Sequence, residues 1–365
     1  MTGRAAALHS LARCLRLAPI DGALPPTDWL RTIEAANNQL LTPALWSALR
    51  RSGQAALLPS DAREYLATMH RLNGERNRAL RAQAIQVIGA LNEVGVTPAL
   101  LKGGLALFEG PYADPADRMM RDLDILVPQQ SRPAAIAVLE RLGYGVVKQY
   151  EAGHHAFGDF ARTGDPGCVD LHTELVDPSY VLPAAEVQAR ARRKEVDGAW
   201  YLSPCGTDRV MHNVLHAQIH YLGSFYRGEM QLQQIYELAA LARHFGPAVD
   251  WCFVQERMRA HRLTTALQSY LLGARRLLGL DWPLPQPPTL AARVHYRRCE
   301  VLFAIRALRW TGVLWGNLRL ALAWHRMRAL HGEAGGPLRW RCRHVFQFVR
   351  TRGLGAGINR LLRVR

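Results

Sequence analysis

Apolar residues between positions 28 and 94 recur at the spacing of helices that bury one face. Late in this stretch Leu66, Met69, Leu72, Leu80, Ile85, Ile88 and Leu91 fall mostly three to five residues apart, which lines one side of a helix. Asp61 and Glu64 stand ahead of them at capping-box spacing and mark its start. From Val96 to Leu175 the pattern changes to short apolar runs bounded by glycine and proline. Ala99 to Leu101, Leu123 to Val127, Gly145 to Lys148, Ala156 to Phe160 and Val169 to Leu175 read as strands. Ser131 to Leu142 reads as a helix between two of them, with Ser131 as N-cap, Pro133 in the first turn and Gly143 at the stop. Leu105 to Glu109 reads as a short helix after the first strand. From about Leu182 the pattern is helical again, and the prolines between Pro283 and Pro288 mark a boundary.

This pattern predicts an α+β protein in four parts. Residues 1–95 form an N-terminal helical region, 96–180 a small α/β core, 181–282 a helical domain packed on the core, and 283–365 a basic helical region.

At 365 residues, with 49% hydrophobic and 21% charged, the chain has the make-up of a folded protein rather than a disordered one. Cys14, Cys168, Cys205, Cys252, Cys299 and Cys342 form no C-x-x-C pair, which suggests neither a zinc ribbon nor a disulfide framework and points to a reducing cytoplasm. Arg4, His9, Arg13 and Arg16 interrupt any apolar leader. The longest apolar run, Trp310 to Trp324, is broken by Asn317 and Arg319, so a spanning helix is not expected.

Charge is uneven. The net charge is +16, yet residues 301–365 hold thirteen arginines and one acid, Glu333, a net of +12. Such a surface attracts the phosphates of nucleic acid or of an anionic membrane, and Trp310, Trp315, Trp324, Trp340, Phe346 and Phe348 interleave with it. A non-catalytic module binding RNA or lying at a membrane surface is therefore one functional reading. A plain codon-biased surface is another, since only Lys102, Lys148 and Lys194 are lysine among 46 basic residues.

The chemistry lies in the core. In the run Arg121-Asp122-Leu123-Asp124-Ile125-Leu126-Val127, strand alternation puts Asp122 and Asp124 on one face and Leu123, Ile125 and Val127 on the other. At roughly 6 to 7 Å and an effective dielectric near 20, two carboxylates repel by about 2 to 3 kcal/mol. A divalent cation reverses that sign, and magnesium suits one or two carboxylates plus substrate phosphates. The other reading is a strand end in water, with Arg118 and Arg121 as partners. Upstream, Leu100-Leu101-Lys102-Gly103-Gly104 runs a strand into a glycine pair, a turn that lets backbone N–H groups approach a phosphate. Downstream, Cys168-Val169-Asp170-Leu171-His172 adds a third acid, with His172 on its face. A third carboxylate is what a two-metal site needs beside the first pair.

In this order the motifs Leu101-Lys102-Gly103-Gly104, Arg118, Asp122-x-Asp124-Ile125-Leu126-Val127, Gly143-Tyr144, His154-His155 and Val169-Asp170-Leu171-His172 resemble the uncharacterised nucleotidyltransferase family of the DNA polymerase β superfamily. The resemblance spans roughly residues 25–280, including the helix with His216 and His220 and the segment Tyr236-Glu237-Leu238-Ala239. It implies a minimal polymerase-β-like nucleotidyltransferase core, a short mixed sheet with helices, flanked by helical regions. It also implies Asp122, Asp124 and Asp170 as the metal-binding and catalytic triad, and Gly103 and Gly104 as the phosphate turn. Ile219 and Glu237 depart from the lysine and aspartate that often stand at those places in the family.

The expected reaction is Mg2+-dependent transfer of a nucleoside monophosphate from an NTP, ATP favoured, to an acceptor hydroxyl. Two ions are expected and Mn2+ is an alternative; Lys102 and Arg118 would offset phosphate charge. The acceptor, whether protein, tRNA, sugar or antibiotic-like small molecule, is not specified by these residues. His212, His216 and His220 fall at i, i+4 and i+8, one helical stripe. A zinc site there would need a third ligand that the sequence does not identify. Substrate binding by His172, His216, His220 and Glu237, or a satisfied core role, are the other readings.

Overall fold

The computed structural model describes residues 3–16, 28–150, 154–220 and 223–323. Seven strands make one mixed sheet: β1 (Ala99–Leu100), β2 (Asp122–Leu126), β3 (Gly145–Gln149), β4 (Ala156–Ala161), β5 (Cys168–His172), β6 (Arg192–Val196) and β7 (Ala199–Ser203). Their order is β3-β4-β5-β2-β1-β7-β6. The described helices are α1 (Gly3–Cys14), α2 (Trp29–Asn38), α3 (Thr42–Arg51), α4 (Ser60–Glu93), α5 (Lys102–Ala106), α6 (Arg132–Arg141) and α7 (Ala184–Arg190), then α8 (Gly206–Leu215), α9 (Ser224–Arg227), α10 (Leu232–Phe245), α11 (Trp251–Ala260), α12 (Thr264–Leu278), α13 (Leu290–Ala304) and α14 (Arg306–Ala321). Trp324, Trp340, Phe346, Phe348 and the rest of 324–365 lie outside the described residues.

The central strands alternate an apolar face, buried in one core, with a face that carries the acids and joins a second core only at Leu126 and through β1 and its end. Leu123, Ile125, Val169 and Leu171 join Leu80, Val87, Ile88 and Leu91 of α4 and Val138 and Leu139 of α6 in one core. On the other side Ala99, Leu101 and Leu126 join a larger core with Val210, Met211 and Val214 of α8 and the helices after it. The central pair β2 and β5 is parallel, with Asp122 opposite Cys168, Asp124 opposite Asp170 and Leu126 opposite His172. Adjacent strands lie about 4.8 Å apart, so this register alone sets Asp124 beside Asp170.

Several local expectations are corrected. The helix starting near Asp61 begins at Ser60 with no side-chain cap, and Asp61 accepts instead from the adjacent Ala62 N–H at 2.8 Å. Ser131 makes no capping bond ahead of α6, whereas Gly143 does take the positive φ, +85°, of a helix stop. The short helix after β1 starts at Lys102 rather than Leu105, and β5 ends at His172 rather than Leu175.

The largest difference is β6 and β7, where a helical pattern was expected. Arg-Arg-Lys-Glu-Val is a polar, exposed strand, legible only through its neighbour, Ala199–Ser203, which alternates buried and half-buried residues. Between them Asp197 and Gly198 both have positive φ, as an Asp-Gly hairpin turn requires.

Burial behind the acids is testable by stability. Ile125 is fully buried and Leu72 is exposed. Ile125→Ala is expected to lower the unfolding free energy by about 2–5 kcal/mol, whereas Leu72→Ala should shift it by no more than about 0.5 kcal/mol, both read from urea melts.

Candidate active site

Asp124 is the buried member of the acidic pair, 3% exposed; Asp122, at the start of the same strand, is exposed. Leaving a carboxylate unpaired in such a place costs several kcal/mol, and here one oxygen receives two donors. Lys102 Nζ lies 2.8 Å from Asp124 Oδ1, and His172 Nε2 lies 3.1 Å from the same atom. His172 Nε2 is also 3.0 Å from Asp170 Oδ2. The other ring nitrogen, Nδ1, lies 3.3 Å from the Glu174 carbonyl oxygen. Both imidazole nitrogens thus face oxygen acceptors, which suits the doubly protonated ring.

The electrostatics follow this geometry. Burial disfavours the His172 imidazolium, but Asp170 and Asp124 outweigh it and push the group up to about 9. Burial would raise Asp124, yet Lys102 and His172 hold it well below the usual carboxylate range. Asp122 lacks such donors: although the residue as a whole is open to water at the strand end, protein packed around its carboxyl and the charge of Asp124 push it up to about 6, against the pull of Lys102. Asp170 keeps one oxygen, Oδ1, buried and without a hydrogen-bond partner. Ligand atoms of Asp124, Asp170 and His172 lie within 4.8 Å of one another.

The approach to these acids is built by the turn at the end of β1. Lys102 holds a φ of +45°, a left-handed conformation that a residue with a side chain adopts at a cost, and from it reaches Asp124. A Cβ on Gly103 would fall 2.7 Å from both Arg118 Nη1 and Met120 Sδ, so a larger residue there would displace those two side chains. Gly104 is not so constrained; its nearest neighbour, the Asp124 carbonyl oxygen, would be 3.6 Å from a Cβ, an ordinary contact.

Beside Lys102 lies a narrow cleft, with a cavity volume of about 40 Å³, whose walls include Arg118, Arg209, His212, His216 and Glu237. Arg118 does not point free into it. Its Nη2 donates to Glu237 Oε2 at 2.8 Å, with both side chains largely buried, while Nε has no partner. The sequence-derived site residues thus converge, but Lys102 and Arg118 each already hold a carboxylate. Arg209 was not singled out in the sequence; it donates to the Gly110 carbonyl at 2.9 Å and stacks on Phe245. One arginine among so many in the sequence carries no distinguishing signal.

The histidine stripe is altered. α8 ends at Leu215, and His216–His220 forms a π-helical turn. The rings still follow one another, with His212 to His216 centroids 6.2 Å apart and His216 to His220 5.6 Å. The row continues through His155, 4.2 Å from His220, to His172, 5.1 Å further. Burial lowers His212 and His216 well below the usual imidazole range and brings His220 down to about 4, so these rings are neutral. His220 Nδ1 accepts from the Asp177 N–H at 3.1 Å. The imidazole that meets Asp170 is His172.

With the geometry in place, comparison with known proteins is specific on one point. The profile of a family described as uncharacterised nucleotidyltransferases matches residues 25–279. No curated protein matches. Two solved structures share 13% identity with the chain. One is the antibiotic-resistance factor ANT(2'')-Ia, whose solution structure was described as revealing substrate-regulated conformation dynamics; the match covers 55% of this chain and 95% of that one at a TM-score of 0.35. The other is an antigenic nucleotidyltransferase-like protein from Paracoccidioides brasiliensis, covering 53% and 93% at a TM-score of 0.34. On the family match, over more than half its length, the chain belongs to the uncharacterised nucleotidyltransferase family and is a nucleotidyltransferase enzyme.

Proposed function

We propose that this enzyme transfers a nucleoside monophosphate from an NTP, with ATP favoured, to an acceptor hydroxyl and releases pyrophosphate. The observation that carries the reading is the meeting of Asp124 and Asp170, steadied by His172, with atoms of the three side chains within 4.8 Å of one another. Asp170 Oδ1 is the fit test for a cation: a buried carboxylate oxygen with no partner needs a positive charge or a donor. Asp122, Asp124 and Asp170 would hold two magnesium ions, or manganese, in hard oxygen coordination. Ions held there would neutralise charge on the triphosphate and lower the pKa of the acceptor hydroxyl.

The residues themselves do the following. Lys102 and His172 fix Asp124 through one oxygen, which leaves its second oxygen for the substrate side. Asp170 takes the proton of the acceptor hydroxyl as the new bond from that oxygen to the α-phosphorus forms and the bond to the pyrophosphate oxygen breaks. Gly103 and Gly104 let the backbone approach the phosphates. Arg118, held by Glu237, supplies positive charge at the cleft wall. His216 and Glu237, on the cleft wall, and His220 would be candidates to bind the acceptor, which is a protein, tRNA, sugar or small molecule. We assign the reaction to the cytoplasm, in keeping with the unpaired thiols of Cys14, Cys168, Cys205, Cys252 and Cys299.

Three outcomes are expected. In cell extract with magnesium and labelled NTPs, wild type labels an acceptor and Asp122→Asn/Asp124→Asn loses that labelling by about 10²-fold or more; equal labelling by the two proteins removes the reading. Magnesium or manganese raises the melting temperature of wild type and leaves that of the double variant unmoved in a thermal-shift titration. The third outcome concerns pH. Because Asp122 is raised from 3.8 to about 6, the folded protein binds its proton more tightly than the unfolded chain. Ionising it therefore destabilises the metal-free fold above pH about 6. In chelator, Asp122→Asn should melt higher than wild type at neutral pH, and the gap should close as pH falls towards about 4.

A further inference from the structure

The C-terminal helix of the described fold has two unlike faces. Through one it is fitted tightly to α9 and to Leu302 of α13. A Cβ on Gly316 would lie 2.5 Å from Arg227 Cα, and one on Gly312 would lie 2.7 Å from Leu302 Cδ1. Arg227 Nε donates to Asn317 Oδ1 at 2.9 Å, and Val313 and Leu320 are buried beside these contacts. The close glycine packing fixes which way the helix is turned.

What it turns outward is mostly apolar, with Thr311 and Arg309 the exposed polar residues among the described side chains of the helix. Leu308, Thr311, Trp315 and Leu318 follow one another at helical spacing and all are exposed, Trp315 by 57%. Trp310 is exposed by 49%, and Ile305, just ahead of the helix, is exposed as well. Monomeric proteins rarely leave such a stripe facing water without a use. Its chain neighbourhood is strongly cationic: residues 301–365 carry a net +12 of the whole chain's +16.

We infer that α14 lies along an anionic lipid surface, with Leu308, Trp315 and Leu318 set at the boundary of headgroups and acyl chains, and that the net positive charge of the sequence over 301–365 attracts the lipid phosphates. Tryptophan and leucine on one face of a helix in a basic segment are what an interfacial helix uses. A single-stranded nucleic acid would instead be met by aromatic faces interleaved with arginine, and Leu308 and Leu318 offer no ring on which a base stacks. The helix lies on the surface rather than through it, since no described helix is long and apolar enough to cross a membrane. This surface goes beyond the transfer reaction and does not depend on it.

Flotation of the full-length protein with vesicles of phosphatidylglycerol and phosphatidylethanolamine, beside vesicles of phosphatidylcholine alone, tests the inference. Wild type is expected to float with the anionic vesicles and bind the neutral ones about tenfold more weakly or less. Trp315→Asp/Leu318→Asp should weaken anionic-vesicle binding by about tenfold or more, with an unchanged circular-dichroism melt, while Trp315→Phe should retain it. If the double variant does not fold, Trp315→Ser at the same exposed position carries the comparison. Equal flotation of wild type and the folded variant overturns the inference. So does a wild type that fails to float, whether because a second copy covers the face, seen as a dimer that the variant breaks, or because the face binds single-stranded RNA instead.

Discussion

One carboxylate oxygen, Asp124 Oδ1, holds the centre of this molecule together. Strand β2 must be apolar to sit in the middle of the sheet, yet it carries an acid that the parallel register with β5 sets directly beside Asp170. Two like charges across neighbouring buried strands oppose folding. Lys102 from the turn after β1 and His172 from the end of β5 converge on that one oxygen and turn the repulsion into a network. The lysine's left-handed backbone and the complete burial of His172 are both consequences of reaching it.

The two acids of β2 are thereby made unequal. Asp124 is pinned and ionised, and Asp122 at the exposed strand end is left with its neighbour's charge and few donors. Strain and electrostatic frustration of this kind collect at sites that act on a ligand rather than at sites that only hold the fold.

Much of this was legible in the sequence because it depends on short-range alternation. Strand periodicity alone gives the shared face of Asp122 and Asp124, and the same rule pairs Asp170 with His172. The register that brings those two strands together is not local, since their closest residues are more than forty positions apart, and no periodicity encodes it. Arg118 with Glu237 spans 119 positions, so only the packing of α10 against the cleft reveals that this arginine is already paired. The hairpin of β6 and β7 was hidden for a different reason. Its first strand is almost all charge, which resembles a solvated helix face, and the one clear sign was the Asp197-Gly198 turn. The π-helical turn at His216 is likewise invisible to a 3.6-residue count, because it inserts its irregularity without changing the residue types.

The Arg118–Glu237 pair has a further consequence for how such a protein can diverge. Every acid of the cluster around Asp124, with the two groups that steady it, is contributed before residue 173, whereas His212, His216 and Glu237 on the cleft wall come after residue 205. The two stretches meet at the cleft through this buried clasp. The later helices also share the larger core with Ala99, Leu101 and Leu126, so the positions open to change are those facing the cleft, provided that one carboxylate keeps its grip on Arg118. Loss of that grip would strand a guanidinium in the interior and couple a change in the cleft wall to a loss of stability.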